Sequence, residues 1–289
     1  MQANMQADMQ ANTGRENART RGGKRPEVVV ITGASAGVGR AIVREFARHG
    51  AHIGLLARGE AGLAGARDDV ERLGGKALVV PTDVSDYQAV EAAAEQVERT
   101  FGPIDVWVND AMVTVFSPFL EMTPEEYQRV TEVDYLGYVH GTMVALRRMV
   151  PRNSGHIVQI SSALAYRSIP LQSAYCGAKH AVNGFTDSVR TELWHNRSKV
   201  ALTVLDLPAV NTPQFSWCLN KLPRQAQPVP PIYEPDLIAR AAYWAAHHRK
   251  RELYLGGSSW LVIVLNKFIP GLEALYLAKT GYKSQMRDE

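Results

Sequence analysis

The sequence predicts a doubly wound α/β fold, a parallel sheet with helices on both faces. Three observations predict it. Short apolar, β-branched runs recur from residue 28 to residue 206, separated by helix-length segments. Strands buried on both faces read this way, as continuous rather than alternating apolar runs. A glycine-rich turn follows the first run directly, and nothing resembling a linker interrupts the chain before residue 208. A single domain is therefore expected, since α/β folds often exceed 200 residues as one unit.

The elements follow in order. Val28-Val29-Val30-Ile31 is the first strand, and Thr32–Gly39 is the glycine-rich turn. Ala41, Ile42, Phe46 and Ala47 give 40–49 a helical spacing that ends at Gly50. Residues 51–57 read as the second strand, and 60–73 as a helix stopped by Gly74-Gly75. Residues 76–80 are a third strand, 86–100 a helix closed by Gly102-Pro103, and 104–108 a fourth strand. A long helix fills 124–150, followed by a strand at 156–161, a helix at 173–197 and a strand at 200–206. Right-handed crossovers wind such a series into a Rossmann-type sheet.

Composition excludes several classes. Hydrophobic residues are 46% and charged residues 21% of the 289, which is globular and not disordered. Two cysteines, Cys176 and Cys218, exclude a disulfide scaffold and a multi-cysteine zinc module, so a reduced, cytoplasmic setting is expected. The +3 formal charge sits in residues 1–26, where Arg15, Arg19, Arg21, Lys24 and Arg25 outnumber Asp8 and Glu16 by three. Residues 27–289 thus carry no net charge, which argues against nucleic acid as the main partner. The segment 1–26 opens with a MQAN-MQAD-MQAN near-repeat and has no apolar run. It reads as a disordered tail rather than a secretory signal, with a transit peptide as the alternative.

The glycine-rich turn, TGASAGVG, admits more than one chemistry. Between a strand and a helix, Gly33, Gly37 and Gly39 let backbone N–H groups approach a pyrophosphate. The same residues spell Gly33-Ala34-Ser35-Ala36-Gly37, the G-x-S-x-G elbow of an α/β-hydrolase with Ser35 as nucleophile. A histidine later in the chain, His247 or His248, would then be required, but a first-strand elbow has no earlier strand for the oxyanion loop. A tight packing turn without chemistry is the bland reading.

The rest of the chain favours the nucleotide. With Tyr175-Cys176-Gly177-Ala178-Lys179, and Ser162 13 positions before the tyrosine at a strand end, residues 28–255 resemble the short-chain dehydrogenase/reductase family. The resemblance implies an oxidoreductase with Ser162, Tyr175 and Lys179 as catalytic residues. Positions i and i+4 share a helix face, so Lys179 lies beside the Tyr175 hydroxyl. An adjacent ammonium is expected to lower the phenol pKa and make Tyr175 a general acid or base. Ser162 would hydrogen-bond the substrate oxygen. Ordinary helix residues in i,i+4 contact are the bland alternative.

By the same resemblance Gly33, Ser35, Gly37, Val38, Gly39, Asp83, Val84, Asn109, Tyr175, Lys179, Val210 and Thr212 are expected at the cofactor. Asp83-Val84 match the adenine edge, and Val210 and Thr212 match the nicotinamide amide contact. Where an NAD enzyme carries an acid at the second strand's end, this chain has Ala57 and then Arg58. A guanidinium there suits a 2′-phosphate, so NADP is the expected cofactor. No residue is assigned to a metal. His247-His248 occupy adjacent positions that do not share a helix face.

Three departures from the family pattern stand out. Met112 replaces the glycine that usually closes Asn-Asn-Ala-Gly, Asp134 stands where the family keeps an asparagine, and Pro208–Thr212 is one residue short. Asp134 and Met112 motivate an alternative reading, a nucleotide-binding protein without catalysis. Residues 208–235 are expected to form a lid, with Phe215, Trp217, Leu219, Leu222 and Tyr233 turned inward toward a hydrophobic alcohol or ketone. The apolar extension 258–289 is too short and broken to span a bilayer, which takes about 20 residues. It is expected to pack in a homodimer or homotetramer or on the sheet. A membrane surface and the substrate entrance are the other readings.

Overall fold

Four β-branched residues in succession lose water on both faces only inside a sheet, and Val28–Thr32 (β1) is buried along its whole length. The structure, a computed structural model, describes residues 25–287. The tail expected over 1–26 lies outside the described residues except for Arg25 and Pro26.

After β1 the chain runs through α1 (Gly37–Arg48), β2 (His52–Ala57), α2 (Glu60–Arg72), β3 (Lys76–Pro81) and α3 (Tyr87–Phe101). It returns through β4 (Val106–Asn109) and the short β5 (Val115–Phe116) to α4 (Pro124–Thr131) and α5 (Gly137–Met149). Then come β6 (His156–Ser162), α6 (Ser173–His195), β7 (Ala201–Leu207), β8 (Ala209–Val210), α7 (Gln214–Trp217), β9 (Leu219–Asn220) and β10 (Ile232–Tyr233). The chain finishes with α8 (Pro235–His247), β11 (Glu252–Tyr254), α9 (Gly257–Phe268) and α10 (Pro270–Ser284). The central sheet has seven strands in the order β11-β7-β6-β4-β1-β2-β3, and every pair in it is parallel. The winding reverses between β1 and β4. A ligand crevice is expected outside their carboxyl ends.

Alternation along β1 splits its side chains between two cores. Val29 and Ile31 join Ile42 and Phe46 of α1, Leu63 of α2 and Ile238 of α8. Val28 and Val30 join Val90 and Val97 of α3, Val144 and Met149 of α5 and Trp107 of β4. Apart from the helix over 124–150, the predicted strands and helices are present, with ends within three residues of those expected.

The helix predicted over 124–150 is not continuous. A capping box between Thr123 and Glu126 starts α4, and a π-helical turn at Glu132–Leu136 separates it from α5. The turn widens where Asp134 enters the interior and accepts a hydrogen bond from the Val113 backbone N–H at 2.8 Å. Such turns often mark functional sites.

The Pro-rich stretch is more ordered than a bare loop. β8 pairs with β10, and β9 pairs with β5. Of the side chains expected to turn inward, Phe215, Leu222 and Tyr233 are half-buried, whereas Trp217 and Leu219 are exposed. The apolar extension forms the hairpin α9–α10. Its inner face rests on the 163–172 segment, not on the sheet: Gly281 lies against Pro170, and Asn266 Nδ2 donates to the Tyr166 carbonyl at 2.7 Å.

Candidate active site

Two glycines shape the turn after β1. Gly33 and Gly37 have φ of +70° and +54°, backbone that side chains with a Cβ adopt only under strain. Gly39 is required for a different reason: a Cβ there would sit 2.7 Å from Asp110 Oδ2 and press on the Gly33 carbonyl. The start of α1, where Ala36 is the N-cap, has no side-chain cap. The Gly39 N–H donates to the Asp110 carboxyl, which leaves the Gly37 and Val38 N–H groups for a ligand, and a helix N-terminus favours an anion. Val38 lies in this first turn, Ser35 just before it, and Thr212 closes over it, 3.4 Å from where a Gly37 Cβ would stand. The Thr212 hydroxyl is buried without a partner. A backbone cradle, an uncapped helix and an orphaned hydroxyl fit a dinucleotide phosphate group.

Around the cradle, Val84 and Val210 are buried and Arg58 projects into solvent just past the end of β2. Arg40 in α1 is committed to Asp69 at 2.8 Å, while Arg58 has no ion-pair partner among the described residues. Asp83 is already engaged, by Arg129 at 2.7 Å and by the Ser85 hydroxyl at 2.8 Å. Burial alone would raise its pKa, but these partners hold it below the usual carboxylate range. Asn109 spends its side chain in the core. Its Oδ1 accepts from Trp107 Nε1 at 2.8 Å, and its Nδ2 donates to Gln159 Oε1 at 2.8 Å. The amide therefore faces inward, and it positions the end of β4.

Ser162, Tyr175 and Lys179 come together, as the spacing predicts. Ser162 ends β6, and Tyr175 and Lys179 lie one turn apart in α6. Ser162 hydrogen-bonds the Tyr175 phenol oxygen. Lys179 Nζ lies 5.6 Å from the centre of the Tyr175 ring and is buried. It donates to the Tyr138 hydroxyl and the Ile160 carbonyl, both at 2.9 Å, and the Tyr138 hydroxyl donates to that carbonyl at 2.8 Å. Tyr138 was not legible as a site residue, because an aromatic beside Gly137 reads as helix packing.

The electrostatics correct one expectation. The net shift of the Tyr175 pKa is upward, not downward as the Tyr175–Lys179 pair alone implied. Burial, followed by the nearby Asp134, pushes the phenol above its usual 10, and the Ser162 hydrogen bond offsets only part of this. The lysine is itself pulled down by burial, with its charge met by Asp134 and Asp110. Burial in turn lifts Asp110 to about 8 and Asp134 to about 7, each moderated by Lys179. Tyr175 therefore keeps its proton at neutral pH, the form of a general acid.

A third buried carboxyl, Asp206, lies behind the site. Asp206 on β7 is fully buried and accepts from Asn183 Nδ2 at 3.4 Å, while Asn183 Oδ1 accepts from Ser161 at 2.8 Å. Burial and the neighbouring Glu252 carboxylate hold Asp206 up at about 8. The folded protein keeps this proton, whereas the unfolded chain releases it near 3.8. Stability from this group is thus full below about pH 4 and is lost as pH rises toward about 8. Thermal unfolding should show Tm falling from about pH 5 to about pH 8, with a shallower fall in Asp206→Asn. An unchanged slope in the variant would show that Asp206 does not retain its proton.

The hydrolase reading fails on geometry. Ser35 follows the carboxyl end of β1, whereas His247 binds Glu27, which precedes its amino end. His248 is bonded to the Trp244 carbonyl of its own helix.

A family model described as short chain dehydrogenase matches residues 27–217. An uncharacterized oxidoreductase, YxnA of Bacillus subtilis, is 33% identical over 261 residues, covering 90% of this chain and 73% of that protein. The 3-dehydrosphinganine reductase of Danio rerio is 33% identical over 193 residues, covering 65% of this chain and 58% of that protein. Among solved structures, an alcohol dehydrogenase from the archaeon Thermococcus sibiricus, complexed with 5-hydroxy-NADP, is similar with TM-score 0.68 and 29% identity. That match covers 80% of this chain and 96% of the archaeal one.

Proposed function

The chain belongs to the short-chain dehydrogenase family, and from that premise we propose that it interconverts a hydrophobic ketone and its alcohol with NADP(H). The observation that carries this reading is the meeting of Ser162, Tyr175 and buried Lys179 at the carboxyl end of the sheet, beside the glycine cradle. When bound, NADP(H) supplies the hydride. The cradle at Gly33, Gly37 and Gly39, the start of α1, Thr212 and Arg58 would hold it. Ser162 orients the substrate oxygen and stabilises charge developing there. In the reductive direction Tyr175, protonated at neutral pH, donates its proton to that oxygen. Lys179 is fixed by Tyr138 and Ile160 and keeps a cation behind the phenol as it loses its proton. Phe215, Leu222 and Tyr233, half-buried in the proposed lid, would give it an apolar inner surface. Oxidation of NADPH in the presence of aliphatic, aromatic and steroid ketones tests the reading.

A second reading, cofactor binding without turnover, rests on Asp134. Against it stands the π-helical turn, in which Asp134 accepts from Val113 through one oxygen as an amide oxygen would. NADPH binding with no turnover across the ketone panel would favour this reading over the first.

Arg58 is proposed to select the phosphorylated cofactor. A charge-assisted contact to the 2′-phosphate is worth about 1.5–3 kcal/mol, roughly a 10- to 100-fold difference in affinity. Arg58→Ala should weaken NADPH binding by that factor and leave NADH nearly unchanged. Titration of both cofactors at fixed ionic strength checks this, because an exposed contact is screened by salt. Equal affinity of the unaltered protein for NADH and NADPH would remove Arg58 from the cofactor site.

A further inference from the structure

The hairpin α9–α10 presents one face to solvent that its own fold cannot cover. Its inner side is fixed. Ile263 is buried, Arg167 bonds Asn266 Oδ1 at 3.1 Å and pairs with Glu273 at 3.5 Å, and Gln285 Nε2 reaches the Pro170 carbonyl at 3.0 Å. The outer side is apolar at the turn between the helices, where Phe268 is 79% and Leu272 65% exposed, with Ile269 between them. Leu275 and Tyr276, 62% and 65% exposed, continue the same face one turn on, at i+3 and i+4 from Leu272. Trp260 lies two turns before Phe268 on α9 and is also exposed. Singly exposed apolar residues are ordinary, but a contiguous apolar tip on two successive helices marks an interaction site.

Charge identifies the occupant. Among the described residues from 257 to 287, every exposed charged side chain is basic: Lys267, Lys279, Lys283 and Arg287. Lys279, Tyr282 and Lys283 extend the outer face of α10 behind the apolar tip, at i+7, i+10 and i+11 from Leu272. Apolar side chains at the tip, with tyrosine, tryptophan and lysine behind, match the layering of a lipid surface from acyl chains to headgroups. A second copy of this hairpin would bring no exposed acidic side chain among the described residues to meet these cations. No helix of the described residues is long and apolar enough to cross a membrane, so contact would be made from one side.

We propose that the α9–α10 hairpin docks the protein on an anionic lipid surface, tip first. The surface would lie beside the active-site mouth, because the 163–172 segment under the hairpin joins Ser162 to the helix of Tyr175. The test is sedimentation of the full chain with vesicles of phosphatidylcholine alone and of phosphatidylcholine mixed with phosphatidylglycerol. The expected result is binding to the mixed vesicles at least about tenfold tighter than to the neutral ones, weakened by salt. Phe268→Asp with Leu272→Asp should abolish it, and Lys267→Gln with Lys279→Gln and Lys283→Gln should weaken it about 100-fold. Both variants change exposed side chains, so far-ultraviolet circular dichroism and activity on a water-soluble ketone should be unchanged. Failure of the unaltered protein to bind mixed vesicles, or retained binding by the Asp variant, overturns the proposal. So does a dimer, seen by sedimentation equilibrium without vesicle binding, that the Asp variant converts to monomer. That result would assign the face to a second copy.

Discussion

Tyr175→Phe is expected to lower turnover by at least about 100-fold while cofactor affinity stays within about twofold. The substitution removes one oxygen and its proton and keeps the ring, so α6 and the packing around it should survive. What disappears is the group that burial and Asp134 keep protonated. A 100-fold loss corresponds to about 2.7 kcal/mol of transition-state stabilisation, the usual scale for a general acid. Ser162 and Lys179 remain, so residual activity should come from orientation of the substrate oxygen alone. Steady-state rates with a ketone found in the panel, alongside cofactor titration, separate the two quantities. Near-normal turnover would remove Tyr175 from the chemistry.

Gly39→Val should be the most damaging change in the cofactor cradle. Its first added carbon would stand 2.7 Å from Asp110 Oδ2 and against the Gly33 carbonyl. Neither neighbour is the free end of a flexible side chain. The Gly33 carbonyl belongs to the turn itself, and the Gly39 N–H donates to the Asp110 carboxyl. Relief therefore requires moving the turn or Asp110, which sits beside Lys179 in the electrostatics of the site. Overpacking of this kind costs about 1–3 kcal/mol of stability. The folded protein should still form, with NADPH affinity reduced by at least about 100-fold, because every phosphate donor on the turn is displaced. Thermal unfolding with and without NADPH reads both effects. A ligand-induced rise in Tm equal to that of the unaltered protein would contradict the assignment of the turn.

The sheet was legible because its strands are buried on both faces. Runs such as Val28–Ile31 have no other stable home in water, and the glycines that end or follow them mark the turns. Lys179 was legible beside Tyr175 because positions i and i+4 share a helix face, and Ser162 and Tyr175 were legible through the resemblance to the family. Other features depend on groups far apart in sequence. The break in the helix at Glu132–Leu136 depends on Asp134 meeting the Val113 N–H, 21 residues away. The upward direction of the Tyr175 pKa depends on enclosure and on carboxyls from other elements. Local spacing predicted the opposite sign, because the Tyr175–Lys179 pair considered alone ignores them. The engagement of Asp83 was not legible because its partner Arg129 lies on another element.

The strand order β11-β7-β6-β4-β1-β2-β3 also bears on how the chain is made. When residues up to Pro81 have left the ribosome, β1 can pair only with β2, and the edge that β4 will occupy stays open. Ribosomes add about 5–20 residues per second, so the stretch to Asn109 takes on the order of seconds. Throughout that interval a wholly apolar strand shows unpaired N–H and C=O groups to its surroundings, a template for pairing with another nascent chain. Yield on fast, high-level expression should be limited at this point, and slower synthesis or a holdase chaperone should relieve it.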